Sequence, residues 1–153
     1  MNESNGDDHL KSSVIGEISR LATPSAVPEL LDFVATIERE EGFSPERREE
    51  IGTALKEALQ VVVTRAYGEK GGEVKIACKH DAWGKLAIVI VDSGAPINIL
   101  LSDAVLPGGE LLGDVSLRDS ARLIKKMIDN VEYKRVDNEN TLSFFVSGEL
   151  RTR

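Results

Sequence analysis

Apolar positions in the first half of the chain recur at helical spacing. Val27, Leu30, Leu31, Val34 and Ile37 predict an amphipathic helix ending near Gly42. Thr23–Pro24 reads as its N-cap followed by proline at the first helical position. Ser44–Pro45 repeats that start signal, and Ile51, Leu55, Leu59 and Val62 form one stripe of a longer helix reaching about Tyr67, with Gly68 as its stop. The pattern then changes period. Glu73 to Lys79 alternates, with Val74, Ile76 and Cys78 on one face, and predicts a strand after the Gly71–Gly72 turn. Lys85 to Asp92 is almost wholly apolar, as in a central strand covered by other elements. Val14 to Ala22, with Ile15, Ile18 and Leu21, reads as a first strand. Asp119 to Val131 predicts a helix with Leu123, Ile124, Met127, Ile128 and Val131 inward. Glu132 to Val136 and Thr141 to Val146 predict two strands joined across Asp137 to Asn140.

Turn residues crowd the stretch between Ser93 and Ser116, where Gly94, Pro96, Pro107, Gly108, Gly109 and Gly113 alternate with Ile99, Leu100, Leu101, Val105 and Leu106. This predicts a mobile flap at about 97–117 containing a helical turn, and a connection that long inside a compact domain is usually functional. The order strand, two helices, two strands, flap, helix, two strands predicts an α+β protein. Its architecture is a two-layer α/β sandwich with a mixed, mainly antiparallel sheet covered by helices. A single domain at 13–150 follows a polar, disordered lead-in at 1–12.

Charge and rare residues narrow the chemistry. Nineteen Lys and Arg against 26 Asp and Glu give a net charge of −7, unfavourable for nucleic acid or an anionic membrane surface. One cysteine, Cys78, excludes an internal disulfide, and His9 and His80 lack the spacing of a metal pair, so no metal site is expected. The acidic N-terminus is not a signal or transit peptide, and no apolar run approaches the ~20 residues that span a bilayer. The expected compartment is the cytoplasm. Cys78 is expected in the core, His80 at the surface, Trp83 packed at a hairpin tip, and the charges from Glu38 to Glu50 on solvated helix faces.

Four segments, spanning about Thr23 to Val146, resemble the anti-sigma-factor serine kinases of bacteria, a branch of the GHKL, or histidine-kinase-like, ATPase superfamily. Ala54 to Tyr67 is similar to the family's N-box helix, written roughly E-A-x-x-N-x-x-x-H-A-Y. The resemblance implies that Glu57 is the catalytic glutamate that orients or deprotonates the attacking hydroxyl. Val61 stands where the family places its Mg²⁺-binding asparagine, and Arg65 where it places histidine; at i, i+4 and i+8 the three face the same way. Val91-Asp-Ser-Gly-Ala-Pro96 resembles the D-x-G-x-P box, implying that Asp92 reads the adenine amino group, that Gly94 admits the backbone to the base, and that Pro96 lies in the same pocket. Leu123 to Tyr133 resembles the stretch after the glycine-rich phosphate box, which places that box's glycines at Arg118 and Ser120 with Asp119, expected to cap the helix, between them. Asn140 to Phe145 resembles the last strand, implying that Thr141 lies near adenine.

The departures carry as much weight as the matches. An isopropyl group at position 61 offers no oxygen to a hard cation, and side chains at 118 and 120 fill space where backbone N–H groups would close around phosphates. ATP is the ligand the resemblance implies, while Val61 argues against Mg²⁺. The resulting expectation is a regulator of anti-sigma type, with its ATP and Mg²⁺ site degraded, that binds a sigma factor or a STAS-type anti-anti-sigma protein and can pair as a homodimer. Its helix at Val27 to Ile37 and its sheet face are the expected contact surfaces. Two alternatives stand beside it: an active kinase that phosphorylates a serine on the STAS-type protein with Mg-ATP, Arg65 helping to hold phosphate, and a nucleotide sensor independent of metal.

Overall fold

A computed structural model describes residues 13–102 and 115–152. The expected lead-in at 1–12 and the middle of the expected flap lie outside the described residues. The elements are β1 (Ser13–Leu21), α1 (Ala26–Glu40), α2 (Pro45–Val61), β2 (Glu73–His80), β3 (Leu86–Asp92), α3 (Arg118–Met127), β4 (Asn130–Val136) and β5 (Glu139–Val146). Their order is the predicted one. The sheet runs β1-β2-β3-β5-β4, and every neighbouring pair is antiparallel.

Alternation in the strands decides which face the helices cover. Val74, Ile76 and Cys78 on β2 meet Ile88 and Ile90 on β3 and Phe144 on β5, all essentially without solvent exposure. Burial holds the Cys78 thiol up at about 12, with the Glu38 charge adding to the effect, so it behaves as a small apolar residue. Val89, Thr141, Ser143 and Phe145 lie on the other face and are only partly covered.

Ser44 caps α2 as expected, accepting from the Arg47 amide at 3.1 Å with Pro45 behind it. The first helix begins later than Thr23–Pro24 suggested. Its N-cap is Ser25, which makes no side-chain capping bond, and the Thr23 and Ser25 hydroxyls instead approach each other at 3.2 Å. The last helix ends at Met127, not Val131. Ile128 is extended (φ −109°, ψ 135°), and Val131 belongs to β4. Asp137 and Asn138 take positive φ values of 53° and 66°, the geometry of a two-residue hairpin turn, and close β4 on β5.

Two expectations about the surface are corrected. Trp83 is 87% exposed at the β2–β3 tip, where Asp81 Oδ1 accepts from the Trp83 and Lys85 amides and closes the turn without needing the indole. The Glu38–Glu50 cluster is partly internal: Glu38, Arg47 and Glu50 are buried, and Arg47 and Glu50 bond to the chain's C-terminal segment. His80, expected at the surface, is half-buried, and its Nε2 is paired with Glu41 Oε1 at 2.7 Å. Among the described residues no helix is long and apolar enough to cross a membrane.

Candidate functional site

The helix α2 ends in a wider turn, Val62–Ala66, of π type. Such turns concentrate at functional sites. The Ala66 carbonyl, at the end of this helix, accepts from the Ala95 amide at 2.6 Å. That bond draws the loop after β3 against the helix end. A Cβ at Gly94 would overlap the Ala66 carbonyl oxygen, so the close approach needs glycine. The D-x-G element of the sequence is therefore a real constraint of packing.

Asp92 ends β3 in a buried position. Its Oδ1 accepts from the Gly94 amide at 2.9 Å and from Asn140 Nδ2 at 2.9 Å. Asn140 also donates to the Ala95 carbonyl at 2.8 Å and accepts from the Tyr133 hydroxyl at 2.5 Å. Burial holds the Tyr133 phenol above its ordinary range and outweighs the pull of Arg135 in the other direction. The cavity under this network, walled by Ala58, Val62, Ile90, Ile97 and Leu142, has a volume of about 30 Å³. That is room for about two waters. Asn140 and Tyr133 were not read from the sequence as site residues. Asn140 faces Asp92 because the two are cross-strand partners in the β3–β5 register, a relation that only the pairing reveals.

Thr141, expected near adenine, is placed on the opposite face of the sheet, among Lys79, Val89 and Phe145. Side chains alternate across a strand, so the one-residue step from Asn140 to Thr141 crosses the sheet. Pro96 is exposed and borders an open cleft beside Arg65, outside the cavity under Asp92.

Glu57, Val61 and Arg65 do share a face, as their spacing implied: all three line a groove of about 500 Å³ between α1 and α2. Glu57 is half-buried and its Oε1 accepts from the Ser120 hydroxyl at 2.6 Å. Ser120 thus reaches from the first turn of α3 to the residue that the resemblance makes catalytic. Val61 is buried and presents only methyl groups. Arg65 Nη2 donates to the Ser116 hydroxyl at 2.7 Å, tying the π turn to the segment before α3. Asp119 does not cap α3. The N-cap position is Leu117, without a side-chain bond, and Asp119 is exposed in the first turn. Its charge still lies at the positive end of the helix dipole.

Val61 presents no oxygen at the position the resemblance assigns to a metal ligand, and Arg118 and Ser120 stand where the resemblance expects phosphate-binding glycines. Among the described residues no group of three or more His, Cys, Asp or Glu side chains could hold a metal ion.

The helix, the D-x-G loop and the sheet together define a histidine kinase-like ATPase domain. The chain belongs to that family, whose model matches residues 21–145. Among solved structures it is similar to the RsbU and RsbW domains of Rv1364c from Mycobacterium tuberculosis, with 13% identity and a TM-score of 0.54 over 86% of this chain and 32% of that one. The match spans about a third of that solved chain's length, and at this identity the likeness is one of fold. Comparison with curated proteins gave no match.

Proposed function

We propose that the chain is a regulator of the anti-sigma-factor type that acts by holding a protein partner, a sigma factor or a STAS-type antagonist, and does not transfer phosphate. The observation that carries this reading is the bond from the Ser120 hydroxyl to Glu57 Oε1 at 2.6 Å. Phosphoryl transfer depends on positioning and on charge neutralisation. In this chain the acceptor-orienting carboxylate is engaged by an internal hydroxyl, and the neutralising metal has no asparagine to hold it. The apolar groove bounded by Pro24, Val27, Pro28 and Leu31 on one side and Val61 and Val63 on the other supports a protein-binding role. A homodimer belongs to the same reading.

The test is thermal unfolding with ATP, with and without Mg²⁺. A ligand at a hundred times its Kd adds about 2.7 kcal/mol, or roughly 5–10 °C for a chain of this size. Mg²⁺ is expected to add nothing to any ATP effect. A stabilisation that needs Mg²⁺, or transfer of radiolabelled phosphate to a STAS-type protein, overturns the reading. On the partner side, calorimetric titration with a sigma factor or a STAS-type protein should show binding that Leu31→Arg abolishes.

A further inference from the structure

The face of the sheet away from the helices carries its charges in bands. The register sets four rows of outward side chains running across the strands. Lys79 stands in the first row, with Val14 beside it on β1. Glu17 and Glu132 stand in the second, joined through Ala77, Val89 and Ser143. Lys75 and Lys134 stand in the third, joined through Val91 and Thr141. Glu73 and Glu139 stand in the fourth, where Leu21 pairs with Glu73. The rows are thus positive, negative, positive and negative in turn. Among the described residues none of these lysines and glutamates is in a salt bridge. Val89 and Val91 are half-buried at the centre, while Val14 and Leu21, at the two ends of β1, are each 64% exposed.

A banded face is complementary to a copy of itself in one orientation. A two-fold axis lying between two such faces and running across the strands reverses the order of the rows. The first row then meets the fourth, and the second meets the third. Each strand lies over its own equivalent. On β2, Lys79 faces Glu73 of the second copy, and on β4, Glu132 faces Lys134 of the second copy; symmetry makes each pair twice. On β1, Val14 faces Leu21 of the second copy, and on β3, Val89 faces Val91. Copies running the same way would set each row against a row of its own sign. A uniformly charged partner would meet as many repelling rows as attracting ones. Packed sheets keep their strands within about 30° of each other, an offset that lysine and glutamate side chains span. Five strands about 4.8 Å apart, with eight residues at about 3.4 Å each, give a face of roughly 650 Å². That reaches the lower limit of about 600 Å² per partner for a specific interface. Trp83, at the tip beyond the first row, falls outside the paired rows.

We propose that this sheet face is the interface of a homodimer whose copies run antiparallel, paired through Lys79 with Glu73 and Glu132 with Lys134 around an apolar centre of Val89 and Val91. The proposal rests on the homodimer in the reading above. That reading fails on Mg²⁺-dependent ATP binding or phosphate transfer, and this one fails on the association of the chain alone.

The test is sedimentation equilibrium of the full chain from micromolar to millimolar concentration. The wild type should dimerise, with a Kd that rises with salt. Lys134→Glu sets a carboxylate opposite Glu132 at both symmetry-related sites and should weaken the dimer roughly a hundredfold. Glu132→Lys alone should do the same. Both side chains are exposed, so neither change disturbs the core. The two substitutions combined in one chain restore opposite charges and should restore association. In a mixture of isotope-labelled and unlabelled wild-type chains, carbodiimide should join Lys134 of one copy to Glu132 of the other. Three results would overturn the proposal: a monomer at millimolar concentration, a dimer that Lys134→Glu leaves intact, or a double variant as weak as the single ones.

Discussion

Replacing Arg47 with methionine should lower the free energy of unfolding by about 3–5 kcal/mol, the range for removing one partner from a buried ionic cluster. Arg47 is fully buried, yet it sits only three residues into the α2 cap. Its Nε donates to the Ser147 carbonyl at 2.9 Å, Nη1 to Glu50 Oε1 at 2.9 Å and to the Met127 carbonyl at 2.7 Å, and Nη2 to Asp129 Oδ1 at 2.5 Å. One side chain thus fastens α2 to the end of α3 and to the segment after β5. Methionine restores volume but removes the charged partner of two carboxylates and a donor to two carbonyls, although Asp129 keeps the Ser147 amide and hydroxyl. Glu50 remains partly served, because the Arg151 and Thr152 amides and the Thr152 hydroxyl also donate to it. Burial alone would push the Glu50 carboxyl up, but these bonds and Arg47 outweigh it and hold it down at about 2. Urea unfolding followed by circular dichroism measures the loss. A loss below about 1 kcal/mol would show that the cluster contributes little beyond packing. Arg47→Lys should fall between, since an ammonium group keeps the charge and not the fork.

Stability should also decline as pH rises from about 5 to 9, and Glu38→Gln should remove most of that decline. Glu38 is 1% exposed, and its Oε2 has no hydrogen-bond partner. Burial pushes its carboxyl from 4.5 up to about 8, against the opposing pull of Arg47 and Arg48. Cys78 faces it from β2 with a thiol that stays protonated. Below pH 4.5 both folded and unfolded chains carry the proton, and the side chain costs nothing through ionisation. Between 4.5 and 8 the unfolded chain gives the proton up and the folded chain keeps it, so stability falls as pH rises. Above 8 the deficit is complete, a few kcal/mol at about 1.4 kcal/mol per pH unit. Urea midpoints at pH 5 and pH 9 for the wild type and Glu38→Gln measure it. A wild type with equal midpoints would mean that Glu38 is not held neutral. Glu50 acts with the opposite sign on the acid side: its contribution is present above 4.5 and is lost as pH falls toward 2.

Local chemistry made much of this fold legible. Val74, Ile76 and Cys78 show alternation that only a half-covered strand satisfies, and Ser44–Pro45 is a start signal whose proline needs no amide partner. The order of elements followed from such cues. The misses came where a local pattern fits two answers. Met127, Ile128 and Val131 suit a helical stripe, but Ile128 and Val131 are equally good strand residues, and packing of β4 on β5 decided for the sheet. Thr23–Pro24 has the form of a helix start, yet after β1 the chain runs two residues further before its N-cap position at Ser25.

Glu57, Asp92 and Gly94 stand out in the sequence because each lies in a short contiguous motif. The Ser120–Glu57 bond joins residues 63 positions apart, and the Asp92–Asn140 bond joins residues 48 apart. No linear pattern reports such pairs. Arg47 was hidden for the same reason. In sequence it belongs to a charged run, and only the return of the C-terminal segment over α2 turns it into an interior group.

The exposed hairpin tip between β2 and β3 has an optical consequence. Trp83 is the only tryptophan in the chain and is 87% in contact with solvent. Its indole is in water before unfolding and after, so its fluorescence maximum should hardly move in urea while the helical signal disappears. The same residue becomes a silent background against which docking can be seen. A partner that covers this tip should shift the emission to the blue, and one that seats in the groove between α1 and α2 should leave it unchanged.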